Sequence, residues 1–402
     1  MTNLSPTKLP RINTANISII VPVYKGGSSF RSCLLSLSKC LPETIEIIVV
    51  VDGEDEQSNQ IAGEFNVRVI KLAKNGGPAR ARNYGARAAN GEILLFIDAD
   101  VTVNTETLRL VIDAFASEPD IAAIIGSYDD TPFAPNFLSQ YKNLFHHFNH
   151  QNGGTEAFTF WGACGAIRRD VFLSLGGFDE SYRRPCIEDI EFGYRIKQAG
   201  YRIRLCKDVQ VKHLKHWKLV SLLKAEIFDR AVPWTELILS NPKSNLQNDL
   251  NLGFLSRLSV MLVFALLACL LGVWWSKELV LLAAVFSLML LAINYSVYLF
   301  FLKKRGFYFA LGVIPWHWFY YLYGGIAFAI ASSKFFLVRW FSTSSISEPG
   351  VFDYSVGSLQ SQVDAPATRR VVVIPKSLQE TTSLKLEEVS LKTDTPSISS
   401  SK

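Results

Sequence analysis

Apolar residues come in short runs in the first part of the chain and in long runs later. Ile17 to Val23, Ile45 to Val51, Asn66 to Leu72 and Ile93 to Ile97 each read as a buried strand, rich in β-branched residues and bounded by polar turns. Between the first two, Arg31 to Cys40 carries apolar residues at helical spacing. Pro78 suits the first position of another helix within Asn75–Ala89. Strand and helix thus alternate at βαβ spacing, which predicts a Rossmann-like, mostly parallel sheet with right-handed crossovers. Ala157 to Arg168, small and apolar with Gly162 and Gly165, suits a further strand, as do Tyr201–Cys206 and Val209–Val211. Glu188 opens a helix running to about Ala199, with acids in its first turn where the helix dipole favours them.

Farther on the pattern changes. Leu258–Trp275, Leu279–Leu302 and Gly306–Ser333 contain no Asp, Glu, Lys or Arg, and each is long enough to cross a hydrocarbon core, which takes about 20 residues. Trp274, Trp275, Trp316, Trp318, Tyr320 and Tyr321 crowd their ends as interfacial aromatics do. The expected organisation is an α/β domain over 17–235, a linker or interfacial segment over 236–253, and about three transmembrane helices over 254–333. Polar ends over 1–16 and 334–402 read as disordered. With the α/β domain in the cytoplasm, Lys303-Lys304-Arg305 lies on the inside as the positive-inside tendency asks. Lys334 and Arg339 then fall outside, against that tendency, unless the third stretch re-enters instead of crossing. Lys215–Arg230, basic with interleaved apolar residues, suits either a membrane-surface helix or one that closes the domain.

Composition narrows the partners. The 402 residues carry 41 Lys plus Arg against 36 Asp plus Glu, a formal charge of +5, too mild to argue for nucleic acid. Six cysteines are scattered with no Cys-x-x-Cys pair, so neither a zinc knuckle nor a disulfide framework is indicated, and a reducing compartment fits.

The candidate chemistry lies where strands end. Asp98-Ala99-Asp100 follows the Ile93–Ile97 run, and ligands of open α/β sheets bind at the carboxyl ends of strands. Paired carboxylates there offer hard oxygen ligands to a divalent cation, Mg2+ or Mn2+, carrying a diphosphate. Taken alone, an acidic turn explains them equally well. Asp52 stands at the end of the second strand, where a carboxylate can accept hydrogen bonds from a ribose or a base. Arg80, Arg82 and Arg87 bring positive charge near a helix N-terminus, yet neither a Walker loop nor a Gly-x-Gly-x-x-Gly fingerprint is present.

Together these residues resemble a family 2 glycosyltransferase with the GT-A fold. The resemblance rests on Val21-Pro22-Val23-Tyr24, Val51-Asp52-Gly53, Arg82-Asn83 within Gly77–Gly85, and Asp98-Ala99-Asp100. Farther along it includes Phe160-Trp161-Gly162 and the stretch to Arg169, Gly176–Asp179, Glu188-Asp189 and Val211-Lys212-His213. It implies a nucleotide-sugar donor contacted by Pro22, Tyr24, Asp52, Arg82, Asp98, Trp161, Gly162 and Glu188. It also implies a divalent metal on Asp98, Asp100 and His213, and Asp189 as general base of an inverting transfer. Gly53 departs from the family, which often has a second acid there, so base contact rests on Asp52 alone. Arg230 and Trp234 match the Gln-x-x-Arg-Trp of processive synthases poorly. His146, His147 and His150 share a helix, but no Glu accompanies them as in zinc proteases, and they are not read as ligands. The expected protein is a multi-pass, membrane-anchored transferase with its catalytic domain in the cytoplasm. Its acceptor is expected to be lipid-linked or a saccharide. The rival is a non-catalytic membrane scaffold that kept the fold as a binding module.

Overall fold

A computed structural model describes residues 16–42, 44–241 and 253–342. The expected disorder at 1–15 and 343–402 and most of the expected linker lie outside the described residues. The chain opens with β1 (Ile17–Val23), α1 (Gly27–Cys40), β2 (Glu46–Asp52), α2 (Glu56–Ala62), β3 (Arg68–Leu72), α3 (Pro78–Ala88) and β4 (Ile93–Ile97). In this half the sheet is parallel as expected, β1 lying between β2 and β4 with β3 outside β2. Side chains alternate across it. Ile19, Val21, Val49 and Val51 face α1 and its neighbours, while Ile20, Ile48 and Val50 face α3, which is the period-two signature of a strand covered on both faces.

After β5 (Val101–Thr102), α4 (Thr105–Ser117), β6 (Ile121–Tyr128), α5 (Phe137–Asn152) and β7 (Glu156–Ala157), the sheet becomes mixed. The Ala157–Arg168 stretch is not one strand. It splits into β7, an irregular segment over 158–163 and β8 (Cys164–Arg168). That segment stays at the carboxyl end of β4, so β8 begins beside Ile97 and runs back antiparallel to β4. Next come α6 (Arg169–Ser174), α7 (Glu188–Gln198) and β9 (Arg202–His213), one long strand where two pieces were expected. Strand order is β3-β2-β1-β4-β8-β6-β9-β5, with β7 on β9. The expected α/β class is therefore observed, as a mixed sheet.

Beyond the sheet, α8 (Leu219–Glu226), a π-helical turn over Ile227–Ala231 and α9 (Val232–Ser240) occupy the stretch read as surface or closing helix. The remaining helices are α10 (Phe254–Gly272), α11 (Leu279–Ile293), α12 (Tyr295–Arg305) and α13 (Phe307–Ser342), the last running past the expected boundary at 333. Two of these, α10 and α13, are long and apolar enough to cross a membrane; α11 and α12 make a third such unit if their 64° bend lies within one span. An aromatic seam of Phe137, Tyr141 and Phe145 on α5 against Phe301, Phe309 and Trp316 joins this region to the sheet domain.

Candidate functional site

Each candidate residue is delivered by the end of a strand or the start of a helix. Asp52 closes β2 and is buried. Its two carboxylate oxygens accept the N–H groups of Gly76 and Gly77 at 2.9 and 2.8 Å, so this acid organises the glycine loop as well as facing the cavity. Gly77 has a φ of +91°, and a Cβ there would lie 2.5 Å from the carbonyl carbon of Arg183. Only glycine lets those two backbones approach so closely.

Arg82, on α3, is the electrostatic centre. Its guanidinium donates to Asp98 Oδ1 at 2.7 Å and to Glu188 Oε1 at 2.9 Å, and it is buried together with Glu188. Burial works against its charge, but Asp98, Glu188 and Asp189 outweigh that and keep it protonated. Gly162 lies directly behind: a Cβ there would sit 2.8 Å from Arg82 Cζ, and its N–H donates to Asp189 Oδ2 at 3.1 Å. Asp189, in the first turn of α7, is half-buried. Burial, and after it the adjacent Glu188 carboxylate, push its pKa up to about 6, with Arg82 pulling the other way.

Asp100 faces His213 across 3.5 Å, from Oδ2 to Nε2. Burial disfavours the Asp100 charge, but the His213 ring and Lys215 hold it below the ordinary carboxylate range. His213 Nδ1 is fixed by the Asn143 side-chain oxygen at 2.8 Å, and Tyr128 stacks on the ring at 4.6 Å. With Nδ1 donating to Asn143, Nε2 would offer its lone pair to a cation bound between it and Asp100, the arrangement usual for a ligating histidine. Hard carboxylate oxygens beside such a nitrogen suit Mg2+ or Mn2+. Asp98, however, is turned to Arg82, and among the described residues no three His, Cys, Asp or Glu side chains are gathered closely enough to hold a metal between them.

One cavity of about 1520 Å³ takes in all of these side chains except Gly162: Pro22 and Tyr24 beyond β1, then Asp52, Arg82, Asp98, Asp100, Trp161, Glu188, Asp189 and His213. Several further residues were not legible in the sequence. Asn143 and Tyr128 fix His213 from α5 and β6, and neither sits in any motif. Lys142 and Arg230, the latter offered by the sequence only as a poor match to a processive-synthase motif, both bond Glu226 Oε1, at 2.8 and 2.9 Å, on the cavity wall beyond Asp189. The π-helical turn that carries Arg230 was the available signal only in hindsight, because such turns leave no composition mark. His146 and His150 lie against Trp161 at 4.8 and 5.6 Å. Burial holds His146 well below its usual range and His150 at about 4, so both are neutral packing groups in the cavity wall. All six cysteines are free thiols.

A mixed α/β sheet that collects its acids at strand ends, over a cavity continuing between apolar helices, defines a ligand-binding domain of the doubly wound class seated on a helical base. Residues 18–176 match the family described as Glycosyl transferase family 2. Among relatives, the glycosyltransferase GlyG of Streptococcus pneumoniae serotype 4 is 32% identical over 117 residues, 28% of this chain and 38% of that protein. The glucosyl-dolichyl phosphate glucuronosyltransferase of Haloferax volcanii is 25% identical over 214 residues, 49% of this chain and 68% of that one. A crystal structure of TarS residues 1–349 from S. aureus in complex with UDP-GlcNAc aligns at 22% identity and a TM-score of 0.42, over 57% of this chain and 67% of that one. The chain thus spans well under half the length of the Streptococcus protein.

Proposed function

We propose that this protein transfers a sugar from a nucleotide-sugar donor to an acceptor hydroxyl or phosphate, with inversion, and that Asp189 is the base. The observation that carries this reading is the position of Asp189 in the same cavity as the strand-end acids, with a pKa of about 6. A carboxylate so raised is ionised near neutral pH yet basic enough to take a proton from a hydroxyl. Gly162 N–H and the Ile190 N–H bind its two oxygens and fix its direction. The acceptor oxygen attacks the anomeric carbon, Asp189 takes the proton where the acceptor has one, and the nucleoside diphosphate departs from the opposite face. Asp52 and the loop it organises lie on the nucleotide side, with Pro22, Tyr24 and Asp98. Arg82 holds Asp98 and Glu188 together and places positive charge beside the departing group. Asp100 and His213 would hold a divalent cation, joined by Asp98 once that carboxylate turns from Arg82, and the cation when bound would supply charge to the leaving diphosphate.

A lipid-linked acceptor is favoured over a free saccharide by the course of the cavity. From Asp189 it continues past Arg230 to Val260, Met261 and Phe264 of α10 and Phe328 of α13. An apolar chain fits that end and a polar head the other. The dolichyl-phosphate substrate in the name of the Haloferax relative agrees with this, as does the expectation of a membrane-bound protein with its catalytic domain in the cytoplasm.

The test is donor turnover by detergent-purified protein with a panel of nucleotide sugars, a lipid extract, and Mn2+, Mg2+ or chelator. Nucleoside diphosphate release that depends on lipid and metal and is lost in Asp189→Asn is expected. Failure of every donor to bind would sink the assignment and favour a scaffold.

A further inference from the structure

We infer that α13 does not cross the bilayer but lies along its interface, held at both ends by the sheet domain, with its apolar outer face as a lipid-docking surface. At its start, Phe309 stacks near Phe137 of α5 with ring centroids 4.9 Å apart, and His317 Nδ1 is 2.7 Å from the Tyr141 hydroxyl. Near its end, Lys334 pairs with Glu236 of α9 at 2.9 Å. Glu236 is not a loose anchor. Two residues before it on the same helix, Trp234 donates from Nε1 to the Tyr194 hydroxyl of α7, at 2.7 Å. Glu236 therefore sits within about 3 Å of axial rise of a residue bonded to the sheet domain.

From Phe309 to Lys334 the helix travels about 38 Å at 1.5 Å per residue. A crossing helix is carried to the far side of the hydrocarbon within about 20 residues. A helix still paired at Lys334 with a helix bonded to the sheet domain has instead run along that domain. Its two faces agree. Val313, His317, Ala327 and Ala331 are fully buried, while Leu311, Ile326, Ile330 and Leu337 are each 44–57% exposed along the opposite side. Tyr320, Tyr323 and Gly324 line the cavity. The inner face therefore walls the site and the outer face is a continuous apolar strip with the lipid surface as its partner.

This placement removes the conflict in the charge pattern. Lys304 and Arg305 precede α13 and dock on the sheet domain, Lys304 with Asp130 and Arg305 with Gln140. Lys334 docks on α9, which is itself bonded to that domain through Trp234, and this positive charge then lies on one side, as the positive-inside tendency asks. What crosses is the hairpin of α10 with α11 and α12, whose far tip is Trp274-Trp275-Ser276-Lys277, with Trp274 and Trp275 exposed. The cavity mouth between α10 and α13 then opens at headgroup depth.

The experiment is protease sidedness of epitope tags in sealed membrane vesicles holding the full chain, with one tag before Met1, one after Lys402 and one between Ser276 and Lys277. The inference expects the two terminal tags to be cleaved from the same side and the hairpin tag only from the other. A C-terminal tag on the hairpin's side overturns it. The readout needs no catalysis, so it stands or falls separately from the proposed activity.

Discussion

The raised pKa of Asp189 makes a pH profile the sharpest test of the base. If Asp189 must be ionised to accept a proton, the active fraction is set by a pKa of about 6. About nine tenths of the enzyme is then competent at pH 7 and a little under one tenth at pH 5, a fall of roughly tenfold. An ordinary aspartate near 3.8 would lose less than a tenth over the same interval. The sign follows from the cause: burial and the Glu188 charge stabilise the protonated form, so activity is lost as pH falls through 6, well above the usual carboxylate range. Glu188→Gln removes the second of these causes and keeps an acceptor for Arg82, so the acid limb should move down by about half to one pH unit, burial accounting for the rest. Asp189→Asn should lower turnover by about 10² to 10⁴ while sparing donor binding. The assay is initial-rate release of nucleoside diphosphate between about pH 4.5 and 8 with saturating donor, alongside donor titration of each variant. An acid limb near pH 4 in the wild type, or a limb unmoved in Glu188→Gln, would refute the reasoning.

Three further outcomes follow from contacts around the site. Gly77→Ala forces a side chain into the Arg183 backbone at positive φ, and should cost about 1–3 kcal/mol in thermal or denaturant unfolding, together with weaker nucleotide binding as Asp52 loses its two donors. Asn143→Ala frees His213 Nδ1, and Mn2+ affinity, read by calorimetry, should fall about 10- to 100-fold. Trp234→Phe removes the bond to Tyr194 and should lower stability by about 1 kcal/mol, seen as earlier proteolysis of the α9 region.

Much of the sheet was legible because its strands are buried on both faces. Ile17–Val23 and Ile93–Ile97 are runs that only a covered strand would use, and their ends coincide with the observed elements. Ala157–Arg168 misled because a run of small apolar residues reads the same whether extended or looped. What breaks it is the close approach of Gly162 to Arg82, a contact between residues 80 apart in the chain. The acids at strand ends were visible for the same reason as the strands. Their partners were not: Arg82 bonds Glu188 across 106 positions, and Asn143 reaches His213 across 70, distances over which spacing carries no signal. The third apolar stretch was legible as a membrane segment in length and composition, but its placement depends on single polar contacts such as Lys334 with Glu236.

Those contacts also explain why α5 is built as it is. Its residues divide between two neighbours. Asn143, with His146 and His150, faces the site, fixing His213 and packing on Trp161. Tyr141 and Phe145 face the other way, toward His317 and Tyr320. Residues three and four apart share a helix face and adjacent ones do not, so the 141–145 and 143–146–150 sets are separate sides of one rigid rod. The rod is pinned by bonds at both sides, and its buried amide and ring nitrogens have few alternatives inside the protein, which makes the pairing of the two sides stiff. One side of this rod packs on the apolar helices and the other, through Asn143, holds the ring that faces Asp100. The histidine nearest the strand-end acids is in this way positioned by a helix that also packs on the apolar helices.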